Sequence, residues 1–106
     1  MNFSQIISVR SDHPDAIVQL IADWDRAQAE TDVMGYIGTH ILADRDEPGR
    51  FLIIAEFAAV EPEVPAAEEA ARNNDRPETQ TWARNLLEVI EGEPAYGHFD
   101  ELYRTG

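Results

Sequence analysis

Hydrophobic positions recur along this chain with two different periods, and each change of period marks an element. Phe3 to Arg10 gathers Ile6, Ile7 and Val9 into a short run that reads as a first strand. Ser11-Asp12-His13-Pro14 then starts a helix, because Pro14 suits the first helical position and Asp15 the positive end of its dipole. Ile17, Leu20, Ile21 and Trp24 follow at helical spacing, with Asp23, Asp25 and Arg26 turned outward, and carry it to about Ala29. Met34 to Ala43 reads as a second strand, in which Gly35 and Gly38 permit a bend or bulge. The polar turn from Asp44 to Gly49 leads straight into Arg50–Phe57, so these two strands form an antiparallel hairpin. Ala58 to Arg72 is Ala, Glu and Pro with little bulky apolar material, enough for a lightly anchored short helix from near Pro65. A better amphipathic helix opens at Pro77 and carries Trp82, Leu86, Val89 and Ile90 on one face; Gly92 and Pro94 are expected to stop it. Tyr96 to Tyr103 closes the chain as a fourth strand.

Strand, helix, strand, strand, helical segment, strand is the βαββαβ order of a ferredoxin-like α+β sandwich, an antiparallel sheet with its helices on one face. Residues 1–106 read as one domain. The third strand then bears on assembly. Phe51, Ile53, Ala55 and Phe57 share one face, Leu52 and Ile54 the other. A strand apolar on both faces needs cover on both, and helices from so short a chain reach only one. The expected cover is the same face of a second copy, a two-fold homodimer.

Composition narrows the chemistry by absence. The chain has no cysteine, which closes thiolate nucleophiles and disulfides, and all eight basic residues are arginine, so no lysine can form a Schiff base. A net charge of −13 repels phosphate backbones and anionic lipid, which argues against nucleic-acid and membrane partners. With no basic-then-apolar leader and no apolar run near the ~18 residues of a membrane span, the expected location is cytoplasmic.

Four segments carry a likeness: Gly35-Tyr36-Ile37-Gly38-Thr39, Pro48 to Phe57, Asn74-Asp75-Arg76-Pro77-Glu78-Thr79 with Trp82, and Glu93-Pro94. In layout they resemble the antibiotic-biosynthesis monooxygenase group of dimeric α/β-barrel proteins. The resemblance implies a pocket in each subunit between the sheet and its helices. It also implies oxygenation of polycyclic phenols or quinols without metal or flavin; other proteins of the fold degrade haem, isomerise or cyclise small molecules, or have no known activity. The haem-degrading branch uses a strand-one Asn, a helical Trp and a His soon after it. Asn2 and Trp82 are present, but no His falls between Trp82 and His98, so the axial ligand is missing from its place.

Oxygenation without a cofactor needs an electron-rich substrate that reduces dioxygen once deprotonated, an apolar pocket, a base, and donors for the developing anion. His40 is the candidate base, its ordinary pKa being near neutrality. Asn73 or Asn74 and Arg76 are candidate donors, and Trp82, Trp24 and Tyr36 candidate aromatic walls. Each has a plainer reading. A strand histidine is commonly a hydrogen-bonded or interface residue, Asn74 and Asp75 stand where helix caps belong, Arg76 can pair with a carboxylate, and both tryptophans have core spacing. No histidine pair has metal-ligand spacing, and no phosphate loop or nucleophile elbow is present. Two functions remain: a cofactor-independent monooxygenase, or related enolate-handling enzyme, acting on a hydrophobic phenolic or quinoid compound; and a non-catalytic dimeric module that binds such compounds.

Overall fold

A computed structural model describes residues 1–29, 35–58 and 65–106. Seven elements follow one another: β1 (Phe3–Arg10), α1 (Pro14–Ala29), β2 (Tyr36–Ala43), β3 (Arg50–Phe57), α2 (Ala66–Asn74), α3 (Pro77–Val89) and β4 (Glu91–Asp100). The strands form one antiparallel sheet in the order β2-β3-β1-β4, the ferredoxin-like arrangement.

Helices cover one face of this sheet. Ile7 and Val9 of β1 and Ile53 of β3 pack with Ile17 of α1 and Leu86 of α3 in the main core, and Phe3 and Phe57 meet Ala66 and Ala70 of α2 in a second cluster. Alanine is what lets α2 approach the sheet closely, so the bulk-poor segment still anchors. Ser11 joins the layers where the sheet meets the helices. Its buried hydroxyl donates to the Val89 carbonyl at the end of α3 (2.6 Å) and accepts the His13 N–H at the start of α1 (2.9 Å).

Three boundaries differ from expectation. Strand four was expected over Tyr96–Tyr103 but occupies Glu91–Asp100. The helix does end before Gly92 and Pro94, yet both residues lie inside the strand. Gly92 sits at φ 68°, where the pairing with β1 shifts register between Ser8 and Arg10. As β4 is an edge strand with an irregularity, it tolerates a residue that cannot donate. Strand two begins at Tyr36, with Gly35 in a turn at φ 83°; Met34 lies outside the described residues. Asn74 ends α2 and Asp75 is its C-cap, while Arg76 takes the N-cap position of α3 without a capping side-chain bond. The two expected caps of the last helix therefore belong to the helix before it.

The face away from the helices carries Ile6 and Ser8 of β1, Leu52 and Ile54 of β3, and Leu42 of β2, with Phe99 of β4 lying over Gly97; an added Cβ at Gly97 would meet the Phe99 ring at 2.6 Å. Among the described residues no helix covers it. Leu42 and Phe99 remain about half exposed, at 46% and 54%.

Candidate functional site

The start of α3 is where the helical layer opens. Pro77 at the first helical position fixes the chain direction after α2, and the 3.6-residue period then brings Glu78, Trp82 and Asn85 toward α1. Leu20 and Trp24 of α1 face them across a mostly apolar groove of about 400 Å³.

The two tryptophans differ in how their N–H groups are met. Trp24 is buried, stands edge-on to Tyr36 (centroids 4.9 Å apart, 83° between planes) and donates from Nε1 to Thr79 Oγ1 at 3.1 Å. Thr79 in turn donates to the Oδ1 of buried Asn73 at 3.4 Å, so one hydrogen-bond chain runs from α1 through α3 to the end of α2. Trp82 Nε1 is also out of solvent but has no partner among the described residues, and the same holds for Glu78 Oε2. Arg76 Nε lies 3.7 Å from that Glu78 oxygen, within electrostatic reach but too far to hydrogen-bond. Beneath the groove lie one buried donor and one buried acceptor without hydrogen-bond partners among the described residues, four residues apart on the same helix.

A second groove, about 520 Å³, lies on the other side of α1 against the sheet edge, bordered by Val18, Ile21, Tyr36, Thr39, His40 and Ile41. Two of its polar groups satisfy each other: the Tyr36 hydroxyl and Thr39 Oγ1 share a hydrogen bond of 2.5 Å. Burial pushes the Tyr36 phenol above its ordinary range and the charge of Asp25 adds to this, against the opposing Thr39 hydrogen bond, so it stays protonated at neutral pH.

Of the residues singled out from sequence, Trp24 and Trp82 share the α1–α3 groove, Tyr36 touches Trp24 from the sheet side, and Arg76 stands beside Glu78. Asn74 is exposed, whereas its neighbour Asn73 is buried and bonded. The structure does not bring His40 to them. Tyr36 pairs with Phe57, but Gly38 pairs with Glu56, so β2 uses two residues where β3 uses one. That bulge reverses the alternation: Tyr36 faces the helices and His40, opposite Ile54, faces out. Its Nδ1 lies 3.9 Å from Glu56 Oε1, and Arg104 holds the other oxygen of Glu56 at 2.7 Å. Glu78 escaped the sequence reading because an acid in the first helical turn is ordinarily explained by the dipole.

No family model matches this chain, and no curated protein sequence matches it. Solved structures do. A structure named "Putative antibiotic biosynthesis monooxygenase from Nitrosomonas europaea" matches with a TM-score of 0.72 at 17% identity, over 99% of this chain and 94% of that one. SnoaB, a cofactor-independent oxygenase from Streptomyces nogalater, matches at TM-score 0.73 and 14% identity, over 97% and 95%. Rv0793 from Mycobacterium tuberculosis matches at 0.71 and 12% over the whole of both chains. The likeness spans the full βαββ–helical–β layout, and the chain has the fold of the antibiotic biosynthesis monooxygenase-like proteins.

Proposed function

We propose that this protein binds a hydrophobic phenolic or quinoid small molecule in the α1–α3 groove and oxygenates it without a metal or organic cofactor. The observation that carries the reading is the groove itself, mostly apolar and walled by Trp24 and Trp82, on a fold shared with a cofactor-independent oxygenase. The chemistry asks little of the protein. Removing the phenolic proton raises the electron density of the ring, which reduces dioxygen; overall, an activated methylene loses two hydrogens and gains one oxygen atom as a carbonyl, and the other oxygen leaves as water. The protein's part is to exclude bulk solvent, accept the proton and stabilise the anion. In the second groove the Tyr36 and Thr39 hydroxyls are already bonded to each other.

The test is oxygen uptake with anthrone-like and quinol substrates in chelator-treated buffer. Turnover lost by about tenfold in Trp82→Phe and unchanged in His40→Ala supports the groove. A loss of ~10²-fold or more in His40→Ala would instead mark His40 as a general base and move the reaction away from the α1–α3 groove. The binding-module reading has its own support: Ile17, Ile53 and Leu86 fill the space between helices and sheet, where the resemblance places a pocket. Saturable quenching of tryptophan fluorescence with no oxygen uptake would establish it.

Two copies paired through the uncovered sheet face complete the reading. Ile6, Leu42, Leu52, Ile54 and Phe99 make that face apolar enough to need a partner, and a second copy offers the matching surface. Sedimentation at micromolar concentration is expected to show a dimer.

A further inference from the structure

We propose that the second copy docks about a two-fold axis running along the strands, between β3 and β1, so that the β2 edge of each copy lies over the β4 edge of the other. This rests on the pairing through the sheet face that none of the described helices covers, and it adds which residues meet. The strand registers set that face out in rows running from β2 through β3 and β1 to β4. The first row is Gly38, Glu56, Ser4 and Phe99. The second is His40, Ile54, Ile6 and Gly97, and the third Leu42, Leu52, Ser8 and Ala95. With strands about 4.8 Å apart and a rise of about 3.3 Å per residue, four such strands offer roughly 500 Å² per copy and about 1,000 Å² for two, the size a specific interface needs.

Two operations lay such a face on its copy with the strands aligned, a two-fold along the strands and a two-fold across them. The axis along the strands reverses every row, and bulk then meets its absence. Phe99 of one copy comes over Gly38 of the other, where an added Cβ would meet nothing within 4 Å. Leu42 comes over Ala95, into a hollow of about 330 Å³ bordered by Ile6, Leu52, Gly97 and Phe99. Ile54 meets Ile6 beside the axis. Glu56 meets Ser4, a hydroxyl able to donate to it, and Arg104 at 2.7 Å keeps the covered carboxylate paired. The Arg10 and Arg50 guanidiniums meet their like at the rim, each already paired with Glu47 or Asp44 of its own copy. The axis across the strands leaves each strand over itself and exchanges the second row with the third. Leu42 would then meet His40 and Ile54 would meet Leu52, while Gly97 would face Ala95. That arrangement is crowded over β2 and empty over β4, against the even packing that protein interiors require.

A double-mutant cycle on the dimer dissociation constant, read by sedimentation, tests the axis. Gly38 and Phe99 lie three strands apart in one chain, about 14 Å, too far to couple within it, so any coupling reports contact between copies. Gly38 does not need the positive φ that Gly35, Gly49 and Gly92 adopt, so the chain itself accepts a side chain there. Gly38→Leu and Phe99→Ala should each weaken the dimer about tenfold, one by overfilling the contact and the other by emptying it. The two together in one chain should pair at least about tenfold more tightly than their separate losses combine to predict. Leu42→Lys with Ala95→Glu repeats the cycle with charge in place of bulk and depends on no glycine. Coupling in either cycle upholds the axis. Additive losses in both, in a native protein that is dimeric, overturn the axis and leave the pairing standing. A native protein that sediments as a monomer overturns both.

Discussion

Ile53 and Ile54 are adjacent in sequence and equally apolar, yet they live on different surfaces of the same sheet. Ile53 is 2% exposed, pinned beneath α1 and α3 with Ile17 and Leu86. Ile54 points the other way, between Ile6 of β1 and His40 of β2, on the face that none of the described helices covers. One face is closed by packing within the chain. The other mixes apolar residues with the Glu56–His40–Arg104 cluster, and it is the face assigned to a second copy in the proposed pairing. Strand alternation makes the two faces; which one becomes a core is decided by what the rest of the chain can reach.

Substitution at the two positions is the strongest way to break this comparison. Ile53→Asp buries a carboxylate with no cation among its core neighbours and removes the packing of a full side chain. The expected cost, about 4 kcal/mol or more, is enough to unfold a domain of this size, and far-ultraviolet circular dichroism should show it. Ile54→Asp should leave the fold and melting cooperativity intact while, under the proposed pairing, sedimentation shifts from dimer to monomer, since a carboxylate on the outer face would be desolvated against an apolar partner surface. Equal outcomes at the two sites would mean the faces are not different in kind.

His40→Ala sharpens the comparison from the outer side. His40 belongs to that surface cluster and not to the tryptophan groove, so oxygen uptake with anthrone-like substrates should stay within about twofold of native. Any effect should appear in the dimer dissociation constant, and a modest one, because the His40–Glu56 contact is long and half exposed.

How far the sequence revealed this arrangement depends on what each feature needed. The bounds of β1, α1 and β3 follow from periodicity and punctuation, and the structure has them where the pattern places them. The alternation of β3 was equally plain. Its assignment to inner or outer face was not, because that depends on the partner strands. Tyr36 and His40 show why. Four residues apart on an unbroken strand they would share a face, and the bulge before Gly38 separates them. Glycine at that position signalled that a bulge was permitted, not that it would occur. Gly92 and Pro94 were read as a helix stop and do follow the helix, but an edge strand absorbs both. The tryptophan groove was legible as two aromatic positions. The buried Glu78 oxygen without a hydrogen bond was not, because a missing hydrogen-bond partner is a property of packing.

Ionic strength should act on the outer face more than the inner. Joining two copies that each carry −13 opposes association, and screening relieves it. Between low and moderate salt the dimer should tighten and its melting temperature rise by a few degrees. The Ile54→Asp monomer should gain less, having only its own self-repulsion to screen.

The smallest expected effect comes from the turn that sets which residues face which way. Asp44 closes the β2–β3 hairpin: its carboxylate accepts Arg50 Nη1 at 2.9 Å and the backbone N–H groups of Asp46 and Glu47 at 2.9 and 3.1 Å. The Arg50 hydrogen bond first, and the Asp46 N–H after it, hold the Asp44 pKa below the ordinary carboxylate value. A group whose pKa is lowered by folding stabilises the folded state above its unfolded pKa, and that contribution fades as pH falls through the folded value. Asp44→Asn keeps an oxygen for the turn and loses the charge. Its melting temperature should therefore lie slightly below native at neutral pH, and the gap should close as the solution is acidified below about pH 4, the unfolded carboxylate range. A gap that persists at pH 2 would show that the substitution disturbs the turn itself. In that case the β2–β3 register, and with it the separation of Tyr36 from His40, should be checked by amide exchange across the hairpin.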